Sequence, residues 1–245
     1  MIATEIPERA LVVAAHPDDE VLGAGATIAR WVREGTRVSS LILSEGIRSR
    51  GESDGKNEKK ELQKLKASAS KAHDILGDEL LPLGDFPDNS MDTVPLLSIA
   101  QYVEGVIDSL QPDCVLTHGP WDVNVDHRLV HEAVLAATRP QPNSCVRMLA
   151  YFPILSSTEW RPPTANQFAP TLFVDVTGFE ILKAQALEAY APEMRESPHP
   201  RSVEVAQAQM TVWGSIVGVG AAEAFQIGRI HQIATASRTD SRATT

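Results

Sequence analysis

The feature that most constrains this chain is an apolar run, Arg9 to Ala14, that passes directly into Ala15-His16-Pro17-Asp18-Asp19-Glu20. One imidazole and three carboxylates stand at the end of a predicted strand, just before a helix-like segment. In a twisted parallel sheet, ligands bind at the carboxyl ends of strands, so acids placed there face a crevice and can hold a cation. A second cluster, Asp122-Val123-Asn124-Val125-Asp126-His127-Arg128-Leu129-Val130-His131, follows another apolar run, Asp113 to Thr117. Two strand ends therefore offer nitrogen and oxygen donors, the set a catalytic zinc site uses.

Strand-like and helix-like segments alternate along the chain, which predicts an α/β fold: Rossmann-like, with a mostly parallel sheet flanked by helices in a single domain. A strand over Ala10 to Ala15, a helix over Val21 to Glu34 and a strand over Val38 to Leu43 begin it. The polar, Gly-rich Ser44 to Gly55 is a loop at a strand end, and helix Glu58 to Leu76 follows. A short strand Glu79 to Leu83, a helix Val94 to Leu110, a strand Cys114 to Thr117 and a helix entered near Asp126 come next. Strands at Val146 to Pro153 and Thr171 to Val176 flank a Pro-rich connection, Trp160 to Pro170. A helix Glu180 to Ala191, a rigid loop Arg195 to Arg201, a helix Ser202 to Trp213 and an apolar piece Ala221 to Ile230 complete a domain expected over 1–233. The remainder, 234–245, is Ala, Ser, Thr and Arg without periodicity and is expected to be disordered.

The chain has 245 residues, 43% of them apolar, enough for one sizeable core. Lys and Arg total 22 against 32 Asp and Glu, a net charge of -10, which argues against a nucleic-acid surface. Cys114 and Cys145 lie in or beside apolar runs and read as small buried residues of a reducing compartment. Met1-Ile2-Ala3-Thr4-Glu5 has no basic region leading into an apolar stretch, so a cytoplasmic protein is expected. The longest apolar stretch, Val212 to Phe225, is interrupted by polar and Gly positions, so no membrane span is expected.

His16 and Asp19 lie three apart across a strand-to-helix turn, which brings both to one ion. Asp18 between them faces differently and is placed to act as general base. Glu20 opens the next helix, where a carboxylate satisfies first-turn amides and the dipole. His127 and His131 share a helix face. They offer either two ligands or one ligand and a packed residue; His127, at the helix entrance, is taken as the third ligand, while His131 inside the apolar stripe suits packing equally well. Asp126 is placed to orient an imidazole.

The His16-Pro17-Asp18-Asp19-Glu20 segment resembles the metal-dependent de-N-acetylases of the PIG-L or LmbE-like family. The later family motif, commonly His-X-Asp-His, stands here as Asn124-Val125-Asp126-His127. Pro198-His199-Pro200-Arg201-Ser202 and Ala221-Ala222-Glu223-Ala224-Phe225 also resemble late segments of one bacterial branch. The resemblance implies zinc (Zn2+) held by His16, Asp19 and His127, with Asp18 as base. It further implies an N-acylated sugar as substrate and makes the chain a candidate homo-oligomer. Arg48 and Asp88, at strand ends, together with Arg201, resemble substrate contacts; Arg50 is a further candidate. The departure is Asn124, where many relatives have a histidine for the oxyanion or leaving amine. Asn124 can donate to an oxyanion but cannot deliver a proton. His199, fixed between prolines and near Arg201, is the candidate replacement acid, with His118 as the second.

Other classes fit less well. Gly23-Ala24-Gly25 opens a helix after a strand, but Ile28 stands at the third glycine position of a dinucleotide fingerprint, and the preceding acids would repel a pyrophosphate. No Gly-X-Ser-X-Gly supports a serine hydrolase. A sugar-binding protein without chemistry has no use for Asp18 beside the metal. The expected function is a zinc-dependent hydrolase removing an N-acetyl group from an amino sugar or sugar-containing small molecule. The alternatives are a catalytically silent sugar-binding protein of the same fold and a hydrolase of a different small amide.

Overall fold

Strand β1 (Arg9–Ala14) is buried from Ala10 onward because it lies mid-sheet, hydrogen-bonded on both sides. Its side chains alternate between two cores. Ala10 and Val12 join one apolar cluster, while Leu11, Val13 and Ala15 join the other. The structure is a computed structural model that describes residues 6–46, 55–142, 144–162 and 167–231. Arg48 and Arg50 therefore lie outside the described residues, as do Met1 to Glu5 and the segment 234–245.

The remaining strands are β2 (Arg37–Ile42), β3 (Glu79–Leu80), β4 (Cys114–His118), β5 (Met148–Phe152), β6 (Leu172–Asp175) and β7 (Ala222–Ile230). They form a seven-stranded sheet in the order β3-β2-β1-β4-β5-β7-β6. From β3 to β5 every pairing is parallel, and β7 runs antiparallel to both of its neighbours. The helices are α1 (Asp19–Arg33), α2 (Gly55–Leu76), α3 (Leu96–Leu110), α4 (Val125–Ala137), α5 (Glu180–Ala189) and α6 (Val203–Val217). Residues of α1, α2, α5 and α6 pack in the first apolar cluster and those of α3 and α4 in the second. The chain thus leaves β1 toward one face and β4 toward the other. Between these adjacent strands the sheet changes winding direction, and a crevice opens at their carboxyl ends.

Most element ends shift by one to three residues from those expected, and three differences have a clear physical cause or consequence. The third strand stops at Leu80 rather than Leu83, since Pro82 has no amide to donate to a ladder. Helix α6 continues past Trp213 to Val217 and ends at Gly218, which adopts the left-handed conformation (φ 78°) that suits glycine. The apolar piece after it is strand β7, inserted between β5 and β6. Gly23 and Gly25 serve packing: a Cβ at Gly23 would collide with the Phe152 ring, and one at Gly25 would crowd Val21 and Lys183.

Helix α1 is tied to the far half of the sheet by a buried ion pair. Lys183 Nζ donates to Glu223 Oε1 at 2.6 Å and to the Leu22 carbonyl at 2.7 Å. The Glu223 carboxylate also accepts from the amides of Ala26 and Thr27. Cys114 is buried and Cys145 half-buried, and both are free. Among the described residues no helix is long and apolar enough to cross a membrane.

Candidate metal centre and active site

The turn from β1 into α1 is built by its own polar residues. Asp18 takes a left-handed backbone (φ 97°), a conformation that aspartate tolerates better than bulky residues do. This reverses the chain so that Asp19 folds back, and its Oδ2 accepts the His16 amide at 3.0 Å. Asp18's amide in turn donates to Glu20 Oε2 at 3.1 Å. All three carboxylates are fully buried.

Three donor atoms converge here. His16 Nδ1 lies 3.3 Å from Asp19 Oδ2, and His127 Nε2 lies 3.1 Å from the same oxygen. His16, Asp19 and His127 each present a donor within 4.8 Å of the others. The far nitrogen of each imidazole meets a carboxylate. His16 Nε2 is 3.0 Å from Asp126 Oδ2 and 3.4 Å from Asp88 Oδ1, and His127 Nδ1 is 3.1 Å from Asp122 Oδ2. Such backing carboxylates orient metal-binding histidines and make them better donors. His16, Asp88 and Asp126 also form a group within the same span. Because one Asp126 oxygen accepts the Met91 amide at 3.0 Å and the other meets His16, that group is the backing of the first one.

The electrostatics call for positive charge at this spot. Burial opposes charge on His16, but its bonds to Asp126 and Asp19 outweigh burial and raise it to about 10. Burial likewise opposes charge on His127, and Asp19 and Asp122 raise it to about 9. Asp122, despite burial, is lowered to about 2, chiefly by its bond to His127. His118 behaves in the opposite way. Burial and the charge on His127 push it well below its ordinary range, and its Nε2 accepts the Ala15 amide at 2.9 Å. It stacks on His127 with ring centres 4.1 Å apart. In this neutral, buried ring Nε2 is committed to the backbone, so the hydrogen of His118, the second candidate acid, sits on Nδ1, which has no partner among the described residues.

Asp18 is reached from the far end of the chain. Arg201 Nη1 donates to Asp18 Oδ2 at 2.9 Å and Arg201 Nε to Ser156 Oγ at 3.1 Å. Asp18 Oδ1, also buried, has no partner among the described residues. Arg201 stands immediately before Ser202, the N-cap of α6, whose hydroxyl accepts the Val205 amide. Arg201, expected among the substrate contacts, is thus engaged with the candidate base.

His199 is half-buried; its Nδ1 accepts the Arg201 amide at 3.0 Å and its ring meets Trp160 edge-on at 5.9 Å. Asn124 is the N-cap of α4. Its Oδ1 accepts the Asp126 amide at 2.8 Å and its Nδ2 donates to Asn89 Oδ1 at 3.0 Å. His131 Nδ1 sits 3.1 Å from the His118 carbonyl, and its ring packs edge-on to Tyr151. His131 is not among the residues that converge with Asp19.

Asp126, expected to orient an imidazole, backs His16 across the crevice rather than the adjacent His127. Two groups escaped sequence reasoning. Asp122, to which no role was given, holds His127 and accepts hydroxyl bonds from Ser157 and Thr158. Glu20 belongs to a buried chain. Its Oε1 accepts the Tyr190 hydroxyl at 2.8 Å and lies 3.3 Å from His73 Nε2, and His73 Nδ1 lies 2.8 Å from Asp78. Nothing local in the sequence marks His73, Asp78 or Tyr190 as partners of Glu20.

Topology and site together define a Rossmann-like α/β protein with a buried His-Asp-His cluster and a neighbouring carboxylate at the switch point of its sheet. The chain belongs to the GlcNAc-PI de-N-acetylase (PIG-L) family, whose sequence profile matches residues 11–138, more than half its length. It is 28% identical to the 1D-myo-inositol 2-acetamido-2-deoxy-alpha-D-glucopyranoside deacetylase of Mycolicibacterium vanbaalenii, over 79% of this chain and 84% of that one. It is 30% identical to the 4-oxalmesaconate hydratase of Pseudomonas putida, over 74% of this chain and 72% of that one. The structure of N,N'-diacetylchitobiose deacetylase from Pyrococcus horikoshii superposes with a TM-score of 0.73 at 18% identity, covering 91% of this chain and 84% of that one, which establishes the shared fold.

Proposed function

We propose that the protein is a zinc-dependent hydrolase of the cytoplasm that removes the acetyl group from the nitrogen of an N-acetylated amino sugar or sugar-containing small molecule. The observation that carries this reading is the convergence of His16 Nδ1, Asp19 Oδ2 and His127 Nε2 while both imidazoles are backed by carboxylates. Two imidazoles and a carboxylate are a donor set of catalytic zinc. His127 Nε2, the nitrogen that faces Asp19, is buried and lacks a well-aligned hydrogen bond among the described residues, which fits a donor directed at an ion. Bound there, zinc supplies Lewis acidity toward an amide carbonyl and toward water.

The chain's own groups supply the rest. Asp18 accepts the proton of the attacking water at Oδ1, the oxygen that Arg201 leaves unengaged. The Asn124 amide offers a hydrogen bond to the oxyanion beside its contact with Asn89. The departing amine takes its proton from His199: with Nδ1 accepting from the backbone, the ring carries its hydrogen on Nε2. Asp88, next to His16, and Arg48 are assigned to substrate hydroxyls.

The test is mass spectrometry of the zinc-loaded protein with a panel of N-acetylated sugars. The reading requires loss of an acetyl group and release of acetate from at least one of them. The hydratase relative favours a second reading, in which the same base adds water across an activated carbon–carbon double bond. Its product keeps every substrate atom and gains one water, so an unsaturated carboxylic acid added to the panel separates the two.

A further inference from the structure

Asp18 stands at the N-cap of α1 but does not cap it. An N-cap aspartate ordinarily has an extended backbone and turns its carboxylate over the first turn to accept an amide there. Here the backbone is left-handed (φ 97°) and the side chain makes no cap bond. The carboxylate meets Arg201 instead, with Oδ1 unpartnered among the described residues. In a residue other than glycine, such a conformation persists only where its surroundings over-determine it. Two hydrogen bonds do so. The peptide plane before Asp18 is fixed by its amide, which donates to Glu20 Oε2 at 3.1 Å. The plane after it is fixed by the Leu22 amide, which donates to the Asp18 carbonyl at 2.8 Å. Holding both planes sets φ and ψ, and with them the direction in which the side chain leaves the turn.

The second bond is ordinary helix, whereas the first depends on a side chain that is itself held from behind. Glu20 Oε1 accepts the Tyr190 hydroxyl at 2.8 Å and has His73 Nε2 at 3.3 Å, off the line of a well-formed hydrogen bond. His73 is anchored in turn by Asp78, which meets Nδ1 at 2.8 Å and accepts the Ser40 hydroxyl at 2.6 Å. Tyr190 ends α5, His73 lies in α2 and Ser40 in β2, so three separate elements fix one carboxylate. Glu20, Tyr190 and His73 are all buried. Burying such groups is costly, and apolar side chains of similar volume would fill the same space at less cost. They could not receive the Asp18 amide.

We infer that Glu20 is a positioning residue of the active site: held by Tyr190 and His73, it sets the left-handed turn that aims the Asp18 carboxylate toward Arg201 and away from its own helix. The inference rests on the reading of Asp18 as the base, and Glu20 acts through Asp18.

Three variants of the full chain test it. Tyr190→Phe removes one donor to Glu20, Glu20→Gln has a single oxygen to share between the Asp18 amide and Tyr190, and Glu20→Ala has none. On an N-acetylated sugar that the wild type deacetylates, kcat per bound zinc should fall about 10–100-fold in Glu20→Ala, the scale for a misplaced reacting group. The loss should be smaller in Glu20→Gln and smallest in Tyr190→Phe, with KM within twofold and zinc retained throughout. In an Asp18→Asn background each change should cost less than twofold, because no base remains to be aimed. The same factor in both backgrounds, or full turnover in folded Glu20→Ala, overturns the inference. Residue-resolved hydrogen exchange of the purified protein reads the turn without any activity. Protection of the Asp18 amide should fall about tenfold or more in Glu20→Gln and Tyr190→Phe while the β1 amides keep theirs. Unchanged protection at Asp18 overturns the inference. If the wild type deacetylates no sugar, the functional reading fails and exchange decides the positioning by itself. Tyr190→Phe, which removes one oxygen, keeps the test open where Glu20→Ala does not fold.

Discussion

Arg201 and Asp18, 183 positions apart in the chain, meet at 2.9 Å, so the loop before α6 holds one oxygen of the candidate base. Burial pushes the Asp18 carboxyl well above its ordinary range, and Arg201 opposes that shift. Removing the guanidinium raises Asp18 further. A base must be ionised to accept a proton, so Arg201→Gln is expected to move the acidic limb of kcat/KM to higher pH and lower turnover at neutrality. Arg201→Lys, which keeps the charge, should move it less. A pH profile unchanged in Arg201→Gln would show that the pair does not govern the base.

Metal content should depend on His16, Asp19 and His127, because each presents a converging donor. The Ala variants of all three should purify largely without zinc by elemental analysis, while His131→Ala, whose imidazole faces the His118 carbonyl, should keep it. Asp122→Asn and Asp126→Asn are expected to weaken zinc binding by about 10–100-fold, the usual cost of losing a carboxylate behind a ligand. A fully loaded His127→Ala protein with an empty His131→Ala protein would reverse the choice between the two histidines.

The cluster at residues 16–20 was readable because its geometry is local: strand, reversal and helix start lie within a few residues. Helix spacing left His127 and His131 both open; the choice of His127 followed from its place at the helix entrance, and it is His127 that lies against Asp19. What sequence could not show was which carboxylate faces which imidazole. Asp126 adjoins His127 in the chain but bonds His16, since the first turn of α4 points successive side chains to different sides. Asp88 reaches His16 through sheet topology alone. Strand β7 was visible as an apolar piece, but its insertion between β5 and β6 depends on long-range pairing that no local pattern encodes.

His73 links the base-bearing turn to stability. Burial opposes its charge, yet bonds to Asp78 and Glu20 raise it to about 10, above the unfolded value of about 6.5. Such a group stabilises fully below about pH 6.5 and loses that contribution as pH rises through about 10. Denaturant unfolding of His73→Gln should show a deficit of a few kcal/mol, on the order expected for breaking a buried pair, at pH 6. The deficit should shrink toward pH 10. An equal deficit at both ends would mean that imidazolium charge is not what the site uses.

Asn124 has a structural duty beside its proposed catalytic one. Asn124→Ala removes the α4 cap and should cost about 1 kcal/mol in unfolding. Asn124→Asp keeps the capping oxygen and should retain stability while losing the Nδ2 donor. Activity lost in both variants, with stability lost only in the first, separates the two duties. Full activity in a folded Asn124→Asp protein would end the oxyanion assignment.

The most direct test of the account is turnover of zinc-loaded Asp18→Asn on whichever N-acetylated sugar the wild type deacetylates. The variant keeps the size of the side chain and leaves the converging donors in place. It should therefore retain zinc while turnover falls roughly 10²–10⁴-fold, the scale expected when a general base is removed. Near-wild-type turnover in the folded, metal-loaded variant would contradict the central claim that Asp18 takes the proton from water.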